Sequence, residues 1–318
     1  MNKELLKFIA ALLLFGSNGI IASQVALPSY SIVVLRTLLG AMLLGVLFFA
    51  GFAKKGGSLA DLAVVSQKRS ALLVAASGII LGLAWMLLFR AYELVGVGVS
   101  SLLYYCGPVI VMALSPVLFS ERITAARLAG FGAVLAGIVL VNGTAVDGGL
   151  NVEGLACGAG SAACLAAMIV FNKKAEGIGG TEKSFIQLFA AFATAALATA
   201  LLHGLQFDLA GLNWPAVLVL GLANTGLGCY LYFSSIGNLS VQTVSALGYL
   251  EPVSAVLFAA AFLGEALAPL QLAGAVLVVA GAAFGELWSS ALGTRHAIRP
   301  CPSGRDGHLR AAGVQPNR

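Results

Sequence analysis

Long apolar runs alternate with short islands of charge along this chain, and the runs set the first expectation. A helix needs roughly 20 consecutive apolar residues to cross the hydrocarbon core of a bilayer. Ten such runs can be read, at about 5–23, 31–52, 71–91, 96–119, 126–142, 152–172, 183–203, 213–235, 240–263 and 270–290, with ends uncertain by a few residues. Alternating segments of the kind that build a membrane barrel are missing. The pattern predicts an all-α polytopic membrane protein with ten transmembrane helices. Lys3 and Lys7 before the first run, and small residues near Ala22-Ser23, would suit a cleaved signal peptide. Cleavage would break the symmetry described next, so a retained first helix is expected. From Gly293 to Arg318 the chain mixes Arg, Pro, Gly and His with few apolar residues, which predicts a disordered tail.

The pattern is also duplicated. Tyr105, Pro108, Val109, Glu121, Leu128-Ala129-Gly130 and Gly137 recur without a gap as Tyr249, Pro252, Val253, Glu265, Leu272-Ala273-Gly274 and Gly281. Repeated Leu, Val, Ala and Gly are expected in so biased a composition, but the chain has only 9 Pro and few Glu, so their recurrence carries weight. The duplication predicts two five-helix repeats, residues 1–144 and 145–292, with 293–318 as the tail. Five is odd, so the second repeat enters the membrane from the opposite side. Inverted repeats are the sequence signature of secondary transporters that bind solute between their halves.

Composition agrees. Hydrophobic residues make up 59% and charged residues 10%, against about 25% charged in soluble domains, and the mean hydropathy is +0.97. The basic residues sit in alternate loops: Lys3, Lys7, Lys54, Lys55, Lys68, Arg69, Arg122, Arg127, Lys173, Lys174 and Lys183 fall on one side. The tail adds Arg295, Arg299, Arg305, Arg310 and Arg318. Translocation of Lys and Arg is disfavoured, so both termini are expected in the cytoplasm. The net charge of +5 is then a topology signal, and no nucleic acid is needed to explain it. Five dispersed cysteines and three dispersed histidines predict neither a disulfide framework nor a metal site, and no cofactor is indicated.

Ten helices, the duplication and the phrase Tyr249-Leu250-Glu251-Pro252-Val253, followed by Leu263-Gly264-Glu265 and Gln271-Leu272-Ala273-Gly274, resemble the EamA-type branch of the drug/metabolite transporter superfamily. The first half carries a paler copy in Tyr105-Cys106-Gly107-Pro108-Val109, Ser120-Glu121-Arg122 and Leu128-Ala129-Gly130. Val34-Leu35-Arg36 resembles the family's usual Arg-Phe, with Thr37 in place of the aromatic. The resemblance implies a carrier in a bacterial inner membrane, often an exporter of amino acids or other small metabolites, with a central cavity formed by both halves. Its partners are a small solute and the lipid bilayer; it implies neither a particular substrate nor an oligomeric state.

Candidate site residues follow from polarity at membrane depth. Ser101, Tyr105 and Pro108 share one face of the fourth helix, and Ser245, Tyr249 and Pro252 one face of the ninth. Each proline removes a backbone donor, freeing the carbonyl of Tyr104 or Gly248 and predicting a kink that lines the solute path or serves helix packing. Glu251 is the acid deep in a predicted span, suited to proton coupling, to binding an amine or to bonding freed backbone. On a continuous helix it lies about 200° round from Tyr249, which favours a structural or conformational role. Arg36 could snorkel or receive a carboxylate bidentately, and an ion pair with Glu251 is open. Ser17, Asn18, Trp85, Asn224 and Tyr230 complete the polar and aromatic candidates, with Tyr232 beside them. Glu121 and Glu265 read as helix-end residues.

An intramembrane serine hydrolase is the rival from another class, with Ser161 as nucleophile and His203 as base, although the two sit at different depths and lack an oxyanion signature. Gly179-Gly180 before Lys183-Ser184 misses the Gly-Lys step of a phosphate-binding loop, so transport driven directly by ATP is not expected. A channel would show charge rings or carbonyl filters, and neither is legible.

Overall fold

The computed structural model describes residues 3–54, 62–119, 124–142, 151–204 and 211–263, together with 269, 270, 272–274, 276, 277, 280, 281 and 284. The expected tail, Glu121, Glu265 and much of the tenth run lie outside the described residues. Every described element is helical: α1 (Lys3–Gly16), α2 (Asn18–Ala22), α3 (Ser29–Lys54), α4 (Ala63–Ser66), α5 (Lys68–Tyr104), α6 (Gly107–Phe119) and α7 (Ala125–Asn142). There follow α8 (Val152–Lys174), α9 (Gly180–Leu202), α10 (Trp214–Leu218), a π-helical segment (Val219–Leu227), α11 (Gly228–Ile236), α12 (Val241–Leu247) and α13 (Leu250–Leu263). Helices follow from apolar runs whose backbone groups have no water to bond and must pair within the segment.

The molecule is apolar outside and polar within, the reverse of a soluble protein. Val117, Leu201, Phe262 and Leu72 point outward, while Ser31, Thr37, Ser77, Ser161 and Gln187 are buried. A continuous apolar exterior on this scale needs a bilayer to cover it. Among the described residues, six helical stretches are long and apolar enough to cross one: Lys3–Ala22, Ser29–Lys54, Lys68–Tyr92, Val152–Lys174, Gly180–Leu202 and Trp214–Ile236. These coincide with six of the ten expected runs.

One expected boundary takes the form of a bend. The runs 71–91 and 96–119 are parted by a change of direction and not by a gap in the helix, since the apolar span ends at Tyr92 while helical turns continue to Tyr104. No proline intervenes before Pro108, and Gly96 and Gly98 lack the power to stop a helix by themselves. The chain nevertheless doubles back. Gly154 of α8 meets Leu94 and Val95, Gly160 meets Leu87, and Gly158 meets Leu103, so α8 touches both limbs at one level. In a straight helix Leu87 and Leu103 would stand about 24 Å apart along the axis, too far for two neighbouring glycines to reach.

Helices from the two sequence halves pack mainly on each other. α5 lies along α8 and α9, α3 along α9 and the π segment, α1 along α11 and α13, and α6 along α8 and α12. The core cluster accordingly mixes Phe8, Leu12, Leu44, Leu81 and Val111 with Leu165, Ile169, Leu188, Phe233 and Ile236. A buried polar chain also crosses it. Lys183 donates to the Asn172 carbonyl, Asn172 to Gln187, Gln187 to the Ser77 hydroxyl at 2.9 Å, and Ser77 to the Met168 carbonyl.

The α5–α9 crossing depends on absent side chains. A Cβ on Gly78 would fall 2.3 Å from the Gln187 carbonyl oxygen and 2.8 Å from the Ala190 methyl, whereas one on Gly132 would meet nothing within 4 Å. Gly78→Ala is therefore expected to destabilise the protein by about 1–3 kcal/mol, as overpacking does. Gly132→Ala should be neutral or slightly stabilising through helix propensity. Melting temperatures of the two variants in detergent check this; equal shifts would contradict the close crossing.

Candidate functional site

Four helix interruptions, two from each sequence half, converge inside the bundle. The first lies at Ser17, between α1 and α2, where the Ser17 hydroxyl turns back to the Leu14 carbonyl at 2.7 Å. The second spans Tyr105–Cys106, between α5 and α6. The third is the π segment, and the fourth is Gly248–Tyr249, between α12 and α13. The expected kinks at Pro108 and Pro252 are therefore corrected to breaks. Both prolines are buried in the first turn of the following helix, where a missing N–H removes no helical bond.

The broken ends cap one another. Tyr249, fully buried, donates its hydroxyl to the Tyr105 carbonyl at 2.8 Å, so a residue of one repeat bonds its counterpart 144 positions away. The accepting carbonyl is one residue beyond the Tyr104 carbonyl that the missing Pro108 N–H was expected to leave open. Pro108 also lies against Gly248, 3.9 Å from where a Cβ there would stand. Asn224, in the π segment, sends its amide to the Leu14 carbonyl at 2.9 Å, the Ser17 hydroxyl at 2.8 Å and the Asn18 side chain at 3.2 Å. Gly16 completes the contact with α13, since a Cβ there would stand 1.9 Å from the Ser254 hydroxyl and 3.0 Å from the Glu251 carbonyl.

Arg36 enters this assembly from α3. Gly40, one turn on, has no Cβ to meet Thr225 and Gly226, so α3 and the π segment approach closely. Arg36 Nε donates to the Thr225 hydroxyl at 2.9 Å, and Thr225 donates to the Leu220 carbonyl five residues back, the spacing of a π turn. The guanidinium also lies over the Trp85 ring, 5.2 Å from its centroid. Tyr104 and Trp85 both pack, partly buried, against the same core cluster.

Glu251 faces the same cluster. It lies within Coulombic range of Arg36, Tyr104, Tyr105, Cys229 and Tyr232. Tyr249 is not among these neighbours: its hydroxyl reaches the Tyr105 carbonyl and the group acting on it is Cys106, so the two residues face different surroundings, although the helix breaks between Leu247 and Leu250. Among the described residues no hydrogen bond or ion pair joins Arg36 to Glu251. The terminal guanidinium nitrogens and the carboxylate therefore remain available to a third party, within Coulombic range of each other.

Of the sequence-predicted residues, Ser17, Asn18, Arg36, Trp85, Tyr105, Asn224, Tyr249 and Glu251 are thus brought together. Ser245 is buried with its hydroxyl unpartnered among the described residues, and the side chain of Ser101 lies outside them. Tyr230 packs half-buried on the core, and it is Tyr232 that stands near Glu251, with its ring against Phe8 at 5.0 Å and Phe15 at 5.9 Å. Thr225, Tyr104 and Cys229 were missed. Thr225 had a readable signal as the polar neighbour of Asn224 in an apolar run; the other two had none, because their roles depend on which helices adjoin. The serine-hydrolase pair does not assemble: Ser161 donates to the Gly158 carbonyl of its own helix at 2.7 Å, while exposed His203 ends α9 stacked on Tyr30 at 4.1 Å.

Comparison with known proteins adds the lineage. The chain is 25% identical over 288 residues to an uncharacterized transporter, YxxF, of Bacillus subtilis, covering 89% of both chains. It is 27% identical over 197 residues to a probable amino-acid metabolite efflux pump of Salmonella typhimurium, covering 58% of this chain and 65% of that one. Protein PecM of Dickeya dadantii is 30% identical over 196 residues, covering 61% and 65%. A solved crystal structure superposes with a TM-score of 0.75 over 91% of this chain and 99% of the other at 22% identity, a likeness of fold alone. The EamA-like transporter family model matches residues 2–143 and again residues 152–285. Matched in both halves, this chain belongs to the EamA-like transporter family.

Proposed function

We propose that this chain is a secondary transporter that exports small organic metabolites of the amino-acid class by alternating access. Its halves, residues 1–144 and 145–292, form inverted five-helix repeats in a bacterial inner membrane with both termini cytoplasmic. The observation that carries this reading is the meeting of four helix interruptions around an arginine and a glutamate that do not bond each other. Non-helical backbone at membrane depth is tolerated where it is buried or lines a cavity, and broken helices are how secondary transporters build a midplane site.

Charge and shape point to the substrate class. The terminal nitrogens of Arg36 suit a carboxylate, and Glu251 across the cluster suits an ammonium group. Trp85, Tyr104 and Tyr232 supply aromatic walls with few polar atoms, the usual composition of a solute site. The Salmonella relative named as a probable amino-acid metabolite efflux pump supports the same class. The basic residues gathered in alternate loops support the cytoplasmic placement of both ends.

In proteoliposomes, a panel of amino acids is expected to include one that exchanges, with its methyl ester transported poorly because the carboxylate is masked. Arg36→Gln should weaken apparent affinity for that substrate by about 10- to 100-fold, the measure of a lost charge-assisted bond. Loss of exchange across the whole panel in the wild type would overturn the substrate class. Glu251→Gln should retain exchange but lose acceleration by an imposed proton gradient; a variant that responds to the gradient as the wild type does would assign Glu251 to structure alone. Reporter fusions at the two ends are expected to report the same side of the membrane, and opposite sides would contradict the inverted repeats.

A further inference from the structure

A pocket of about 390 Å³ lies at the end of the bundle where α8 passes into α9, and none of the residues around Arg36 and Glu251 lines it. Its walls include Lys173, Lys183, Glu176, Gly179, Ser234 and Asn238. Lys183 is 3% exposed, and its ammonium donates to the Asn172 carbonyl at 3.1 Å. An ammonium has three donors, and this is the one bond the described residues supply. The charge acting on Lys183 is that of Lys173, a second cation. Neighbouring Glu182 is turned away, accepting the Val64 N–H at 2.9 Å.

Buried charges in proteins are paired or hydrogen-bonded, because an uncompensated ion in a low dielectric is costly. Here the pocket holds a buried cation with unfilled donors, beside another cation and without a carboxylate bonded to it. α9 also begins at this wall, with Gly179 as an N-cap that has no side chain to satisfy the first-turn N–H groups. Those groups and the helix dipole add to the same positive field. Glu176, exposed at the rim, disfavours ligands with several negative charges.

We infer that this pocket binds a small oxyanion, a single carboxylate or phosphate group, through the Lys183 ammonium and the open first turn of α9. The shared chemistry admits two sources, a dissolved solute or the phosphate of an anionic lipid headgroup. The site is distinct from the Arg36–Glu251 cluster and does not depend on the transport reading.

The test uses the full chain in nanodiscs of phosphatidylcholine alone, with melting temperature followed against inorganic phosphate and, separately, acetate. A saturable rise with either ion assigns a dissolved oxyanion. A rise only when phosphatidylglycerol replaces part of the phosphatidylcholine, with no response to the ions, assigns a headgroup. In either case Lys183→Met should weaken the response at least about tenfold, measured against its own basal melting temperature, as loss of a charge-assisted bond does. Gly179→Asp provides an independent variant: a Cβ there meets nothing within 4 Å, its φ of −139° suits any residue, and Asp is a favoured N-cap. It should raise basal stability and abolish the response, because its carboxylate fills the anion position. Arg36→Gln should leave the response intact. No response to any of the three probes would overturn the inference. So would retention in both Lys183→Met and Gly179→Asp, or loss in Arg36→Gln.

Discussion

Backbone groups freed inside a membrane must find partners in the protein, and this requirement organises the centre of the molecule. An unsatisfied carbonyl or N–H in hydrocarbon costs several kcal/mol, so a helix can break there only where another element caps the break. The caps here are specific: the Tyr249 hydroxyl on the Tyr105 carbonyl, the Asn224 amide on the Leu14 carbonyl, and the Thr225 hydroxyl on the Leu220 carbonyl. Pro108 and Pro252 stand in first turns, where there is no bond to lose, whereas Pro116 lies inside α6.

Two of these caps cross between the sequence halves. Asn224 reaches α1, and Tyr249 reaches the end of α5, so the interruptions of one half are stabilised by side chains of the other. Any relative movement of the halves has to keep or exchange these bonds. Arg36 links the halves a third time, through Thr225. Glycines make the links short enough, Gly40 against the π segment and Gly16 against α13.

Two cations of the described residues are handled differently. Arg36 is supported by an aromatic face and a hydroxyl, and it senses an opposite charge across the cluster. Lys183 is supported by one carbonyl and senses a like charge. The first arrangement suits a dipolar guest held between opposite charges, and the second suits an anion.

Sequence by itself determined the solvent of this protein, its helical class and the duplicated unit, because hydrocarbon admits few spanning structures and a rare Tyr–Pro–Glu spacing repeats without a gap. It also singled out Ser17, Asn18, Arg36, Trp85, Asn224 and Glu251 as polar groups at membrane depth. Tertiary structure alone decided what those groups face. That Glu251 lies in range of Arg36 while Tyr249 bonds across to Tyr105 depends on which helices adjoin; the runs 71–91 and 96–119 gave the place of the fold-back, but not the α8 glycines on which both limbs pack. Periodicity specifies a face only while the helix continues. Where it stops, the capping partner comes from a distant segment, and that choice is made by packing.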